Sequence, residues 1–337
     1  LARIKPRSLT LIVTHRCVAA CAHCCFGCSP RNGDRIPPAR LSALIDEARE
    51  VPSIERITFT GGEPFLLGPE LIALTARAAG HGFRVTAMTS GAWAKDATTA
   101  QARLAPLAAA GLREISLSTG ANHERFVPVE RVIDAALSAV QLGIVVSVSV
   151  EVFAGSTFDR RAILEHDRLG SLIDRGRVRF FERPWIGHAD EPRETAPTHA
   201  SRYSRFEPTR ISHCPFALDE LTVMPKLALA ACCGHPIESI PALAIGSVAN
   251  MTLREVLETA HDAPLHEMLR TYGPERMYRL AAEMHPSVEL PVESAHACQT
   301  CTLLHRDDAA LSSLKTFARS ARKHIADAFD AAVAAGY

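Results

Sequence analysis

Cys17, Cys21 and Cys24 stand in the run Cys17-Val-Ala-Ala-Cys21-Ala-His-Cys24, directly after an apolar stretch that reads as a strand. Three thiolates within eight residues can cap three corners of an iron–sulfur cube and leave its fourth iron without a protein ligand. An open metal position admits a cofactor or substrate, so this spacing predicts chemistry rather than scaffolding. Cys25 and Cys28 follow at once. They offer two other arrangements: four thiolates around zinc, from Cys21-x-x-Cys24 and Cys25-x-x-Cys28, or two small buried apolar side chains. A second group, Cys214, Cys232, Cys233, Cys298 and Cys301, lies far downstream. Cys298-x-x-Cys301 has the bite of a metal-binding pair, and four thiolates would close a second cluster or a structural zinc site.

Short β-branched runs alternating with Ala-rich amphipathic segments must position the first group. Strands are expected near Ser8–Thr14, Ile54–Thr60, Phe83–Thr89, Arg113–Ser118, Ile144–Val152 and Val178–Glu182. Helices are expected near Pro38–Val51, Pro69–Gly80, Asp96–Ala110, Val129–Leu142 and Arg160–Arg175. Six such repeats imply parallel strands with right-handed crossovers, in an incomplete barrel or a doubly wound open sheet. The unusual residues fall after strands: the cysteine loop after the first, Gly61-Gly62-Glu63-Pro64 after the second, Thr89-Ser90-Gly91 after the third. Ser116 and Ser118 end the fourth strand, and Trp185 and His188 follow the sixth. The carboxyl rim of the strands is where β/α folds place their sites.

The 337 residues suffice for one large core and a smaller module. With 37 basic and 37 acidic side chains, no net field favours nucleic acid or a membrane surface. No run reaches the roughly 20 apolar residues of a membrane span, and the first residues do not read as a signal peptide. Ten cysteines in such a chain predict metal or redox work in a reducing cytoplasm rather than disulfides. After residue 190 the cadence changes: Glu191–Pro208 reads as a loop, Leu221–Val223 and Leu227–Cys232 as a hairpin, Thr252 to Ala260 as a capped helix. Leu311 to Ala334 reads as a long C-terminal helix.

The CxxxCxxC spacing and the later segments resemble the radical S-adenosylmethionine (radical SAM) enzymes over roughly residues 8 to 305. The resemblance implies a partial (β/α)6 TIM barrel over 1–190, a small auxiliary-cluster domain of the twitch or SPASM kind over 191–306, and a C-terminal helix over 307–337. It implies that Cys17, Cys21 and Cys24 hold a [4Fe–4S] cluster whose unique iron is chelated by S-adenosylmethionine. One electron then releases a 5′-deoxyadenosyl radical that abstracts a hydrogen atom. Gly61, Gly62, Glu63 and Pro64 match the family's GGE motif at the cofactor's amino group. Ser116 and Ser118 match a strand segment that often reads Ser-Leu-Asp-Gly, with Ser118 replacing the aspartate. His23 stands where relatives often carry an aromatic residue.

Downstream, Cys214, Cys232, Cys298 and Cys301 resemble the ligands of one auxiliary cluster, so two clusters are expected. Cys232 and Cys233 are adjacent, and neighbouring side chains of an extended segment point to opposite sides. One is therefore assigned as ligand, and the other, Cys233 in the first instance, as a hydrogen-atom donor or an inert thiol. Relatives modify ribosomal peptides or oxidise small metabolites. A peptide matured by epimerisation or cross-linking is the expected substrate; a sugar, nucleoside or amino acid is the alternative. An electron donor of the flavodoxin or ferredoxin type is implied. The short segment ahead of the cysteine loop leads us to expect no appended leader-peptide-binding domain, so that a peptide would be bound by the barrel–twitch cleft, the Glu191–Pro208 loop or a separate leader-peptide-binding protein. Glu151, Arg183, His123 and Arg125 are further candidates at the rim. Outside enzymology, the same cysteines would suit a metal-stabilised binding protein.

Overall fold

The computed structural model describes residues 4–153, 155–184, 213–232, 237, 240–260, 263–291, 294 and 296–335. Trp185, His188, the 191–208 loop and Cys233 lie outside the described residues. Described residues 8–184 with 223–227 form one compact unit, and the remainder form a second.

The first unit runs β1 (Ser8–Thr14), α1 (Pro38–Ala48), β2 (Arg56–Gly61), α2 (Pro69–Gly80), β3 (Arg84–Thr89), α3 (Ala97–Ala110), β4 (Leu112–Thr119), α4 (Ala121–Glu124), α5 (Val129–Gln141), β5 (Val145–Val152), α6 (Arg161–Leu164), α7 (Asp167–Asp174) and β6 (Val178–Pro184). All seven residues of β1 are buried, as expected of a strand covered on both faces. The strands are parallel and lie side by side in chain order, β1 to β6. A doubly wound sheet reverses its strand order at a switch point. Here the order never reverses, and that resolves the choice periodicity left open: the unit is a partial (β/α)6 barrel. The expected helix over 160–175 is two short ones, α6 and α7. His166 caps the second by accepting from the Leu169 amide, and Gly170 packs so closely that a Cβ there would lie 2.2 Å from the Leu164 carbonyl oxygen.

The second unit carries β7 (Glu220–Val223) up to Thr222, then β8 (Ala228–Ala230), β9 (Ala244–Ser247), α8 (Leu253–Thr259), α9 (Pro264–Met284), α10 (Ala297–Arg306), α11 (Asp308–Ser320) and α12 (Arg322–Ala334). Thr252 and Glu255 form the capping box at the start of α8. α9 breaks at Gly273, whose φ of 69° leaves the helical region just before Pro274. The expected long C-terminal helix is two, parted at Ala321, so that the apolar faces of α11 and α12 both pack on α9. No helix among the described residues is long and apolar enough to cross a membrane.

His266, in the first turn of α9, has both ring nitrogens shut away from solvent. Burial lowers its pKa from 6.5 to about 4, helped by neighbouring His305 and opposed by the carbonyls of Ala242 and Leu243. A depressed histidine adds stability above its unfolded pKa and loses it as pH falls through the folded value. At about 1.4 kcal/mol per tenfold change in acidity, the difference is worth at most about 3 kcal/mol. Urea unfolding should therefore show a weaker second unit at pH 5 than at pH 7.5, with the slope flattened in His266→Gln.

Candidate metal centres

The cysteine loop leaves β1 and returns beside it. His15 N donates to Asp34 O (2.8 Å), Cys17 N to Ser29 O (3.1 Å), and Ser29 N to His15 O (3.2 Å). Within it, Cys24 N donates to Cys21 O and Gly27 N to Cys24 O, each at 3.1 Å. These turns bring Cys17, Cys21 and Cys24 within electrostatic reach of one another at the carboxyl end of β1. Two amides point at sulfur: Ala19 N to Cys17 Sγ at 3.5 Å and Cys28 N to Cys24 Sγ at 3.3 Å.

The electrostatics fit a cationic guest. Burial, then the neighbouring thiols Cys24 and Cys17, pushes the Cys21 thiol up to about 12. Burial likewise raises Cys17. Half-buried thiols that hinder each other's ionisation are relieved by a metal cation, which trades protons for bonds to sulfur. Cys28 is buried, and its thiol is pushed up first by its hydrogen bond to Cys24 and then by burial.

Gly61-Gly62-Glu63-Pro64 lies against that loop. Gly62 N donates to Thr14 O (2.6 Å) and Glu63 N to Arg16 O (2.9 Å). A Cβ on Gly61 would fall 2.3 Å from Thr14 O, and one on Gly62 would fall 2.1 Å from Arg16 O. The glycines are thus what lets β2's rim touch the cysteine loop.

Glu63 is 1% exposed. Its Oε1 accepts from Phe65 N (3.1 Å) and Thr89 Oγ1 (2.7 Å), and its Oε2 from Ser90 N (3.1 Å) and Ser90 Oγ (2.7 Å). Burial raises its pKa against the pull of those donors. Both oxygens are engaged within the protein, so the acceptors this segment can offer a cofactor's ammonium are main-chain carbonyls. Phe65 stacks on Trp93 (centroids 4.2 Å apart), and Trp93 Nε1 donates to Thr89 Oγ1 at 2.9 Å. Pro64 opens a short 3-10 helix for which Glu63 is the cap.

Ser116 and Ser118 are half-buried on β4, in register with Ser147 and Ser149 of β5. Beyond β4, His123 Nδ1 lies 2.8 Å from Glu151 Oε2, and His23 Nε2 lies 3.7 Å from the same oxygen. The ligand atoms of Cys21, His23 and His123 fall within 4.8 Å of one another. That grouping spans separate segments of the chain, and spacing gave no sign of it.

In the second unit, Cys298 and Cys301 sit in the first turns of α10, with His296 capping the helix by accepting from Cys298 N. Cys214 N donates to Leu269 O (3.0 Å) and Arg270 O (3.3 Å). The Cys301 thiol is raised by burial and then by Cys232, Cys298 and Cys214, which places each of those three within electrostatic reach of Cys301. His305 Nδ1 stands 3.5 Å from Cys301 Sγ. Glu275, delivered by the break in α9, is buried within electrostatic reach of Cys214 and Cys301. The sequence reading missed it, because nothing in 264–284 marks one carboxylate as facing cysteines.

Residues 11–169 match the family described as the radical SAM superfamily. That match spans a little under half of the chain, so the likeness is to a radical SAM domain within its first unit. The chain is 31% identical over 87 residues to YydG of Bacillus subtilis (strain 168), described by name as a putative peptide biosynthesis protein; the match spans 26% of this chain and 27% of that one. The structure of anSMEcpe with bound AdoMet and a Cp18Cys peptide aligns over 94% of this chain and 99% of that one, with a TM-score of 0.54 at 13% identity, a likeness of fold. BtrN in complex with AdoMet and 2-DOIA covers 79% of this chain and 88% of that one, with a TM-score of 0.47 at 13% identity.

Proposed function

We propose that this enzyme cleaves S-adenosylmethionine reductively at a [4Fe–4S] cluster held by Cys17, Cys21 and Cys24, and abstracts a hydrogen atom from a ribosomally made peptide, leading to epimerisation or cross-linking. The observation that carries it is the convergence of those thiols at the carboxyl end of β1, with the Gly61–Pro64 segment docked on the same loop. When bound, the cluster and cofactor supply the electron and the carbon radical. The chain's own residues do the rest. Amides of Ala19 and Cys28 face two of the sulfurs, Gly61 and Gly62 admit close approach, and the Glu63 network fixes the rim. A radical that reactive needs a site that keeps water out.

Cys214, Cys232, Cys298 and Cys301 are proposed to hold one auxiliary cluster. Cys233 is proposed as hydrogen-atom donor: its S–H breaks, a C–H forms on the substrate radical, and the thiyl left behind is reduced by an external flavodoxin- or ferredoxin-type donor with uptake of a proton. The peptide assignment draws its support from the kinship with YydG.

Anaerobic reconstitution tests the reading. About eight irons per chain are expected, falling by about half in Cys301→Ala, with 5′-deoxyadenosine formed on reduction. Turnover of a candidate precursor peptide in deuterated water should place one deuterium at a carbon centre if a thiol quenches the radical. A loss of two hydrogens would instead indicate cross-linking. Label appearing only in sugars or amino acids would move the substrate to a small molecule, and zinc without cofactor cleavage would leave a binding protein.

A further inference from the structure

We propose that the charges brought to Cys21 by the ends of β4 and β5, the carboxylate of Glu151 and the guanidinium of Arg125, set how readily the cluster at this site takes an electron. This rests on the cluster reading above and goes beyond it, since neither residue is offered as a ligand.

The geometry is that of a clamped carboxylate. Glu151 lies near the end of β5 and is 7% exposed. Its Oε1 accepts from the Asn122 amide at 2.6 Å, and its Oε2 stands 2.8 Å from His123 Nδ1. Gly120 makes room for it: a Cβ there would fall 2.3 Å from the carboxyl carbon. On the other side His23 Nε2 lies 3.7 Å from Oε2, and the His23 and His123 rings meet edge to face with centroids 4.7 Å apart. His23 immediately precedes Cys24, and both imidazoles have a nitrogen within 4.8 Å of Cys21 Sγ. A chain of short contacts thus runs from β5 through two rings to the cysteine loop. Arg125 follows two residues after His123, at the exposed end of α4.

The sign follows from elementary electrostatics. Reduction adds negative charge, so a fixed anion nearby makes it harder and a cation makes it easier. Both charged groups act electrostatically on the Cys21 sulfur, in opposite senses. Glu151 sits in a poorly screened interior, whereas Arg125 is exposed and screened by salt. The carboxylate is the stronger influence.

Glu151→Gln removes the charge while an amide can still accept from Asn122 N and pair with His123. In the reconstituted protein, redox titration followed by electron paramagnetic resonance should show this variant reduced more easily by about tenfold, which is about 59 mV for a one-electron couple. Glu151→Asp keeps the charge and should stay near the wild-type potential. Arg125→Gln should become harder to reduce, by a smaller step. An iron-loaded Glu151→Gln at or below the wild-type potential overturns the proposal. Should that variant load poorly, Arg125→Gln decides, and a potential unmoved or raised there overturns it. A wild-type chain that assembles no cluster removes the reading underneath and the proposal with it, whereas a cluster indifferent to both charges removes the proposal alone.

Discussion

Cys24→Ala should abolish 5′-deoxyadenosine formation and take about four irons per chain with it, about half the total. The loss in rate should exceed the roughly hundredfold seen when outer-shell partners of a metal are removed, because a ligand itself is gone. The fold should survive. The loop's closure rests on main-chain bonds such as Cys17 N to Ser29 O and Ser29 N to His15 O, none of which uses the Cys24 side chain. Circular dichroism and iron analysis on the same sample separate the two effects. Cys28→Ala is the informative companion. Its amide donates to Cys24 Sγ, and that bond remains when the side chain is shortened. Full iron in Cys28→Ala would set Cys28 aside as a buried neighbour. Loss of metal as complete as in Cys24→Ala would favour four thiolates around one ion and remove the open coordination position the mechanism needs.

Gly62→Ala should be nearly as damaging by a different route. The added Cβ would lie 2.1 Å from Arg16 O, 2.5 Å from Arg16 C and 2.9 Å from His15 C, all main-chain atoms. A side chain could swing aside; a backbone at the root of the cysteine loop cannot. Relief requires parting the rim of β2 from that loop, with loss of the Gly62 N to Thr14 O and Glu63 N to Arg16 O bonds. Overpacking of this kind with broken buried hydrogen bonds costs about 3 kcal/mol. The first unit should melt earlier, and iron should fall at the first site while the second keeps its own. Full iron and unchanged melting in the Gly62→Ala variant would show that the two segments are not in contact.

Much of the barrel was legible because each repeat announces itself locally. β1 over 8–14 and α2 over 69–80 coincide with the expected spans, and the remaining strands differ by a few residues at their ends. The closing pattern was not local. Only the pairing of each strand with its sequential neighbours distinguishes a barrel from a doubly wound sheet, and pairing is a long-range property. α9 escaped because Gly273 and Pro274 interrupt it, so its apolar residues keep no single period across the break. Glu275 escaped with it. His23, His123 and Glu151 meet across three segments, and no spacing rule joins them. Glu63 was legible as a position, but not in its surroundings. A Gly-Gly-Glu turn suggests a carboxylate offered outward, whereas Thr89 and Ser90, one strand further on, engage it from within.

That last arrangement has an evolutionary corollary. Glu63, Thr89 and Ser90 can drift only as a set, since an apolar residue at 63 strands two buried hydroxyls and two amides, and apolar residues at 89 and 90 leave a buried carboxylate with main-chain donors alone. Homologues should therefore keep the trio intact or exchange it wholesale. Lineages that mix the two vocabularies should be scarce, and a natural collection full of them would show that this knot beneath the rim is dispensable.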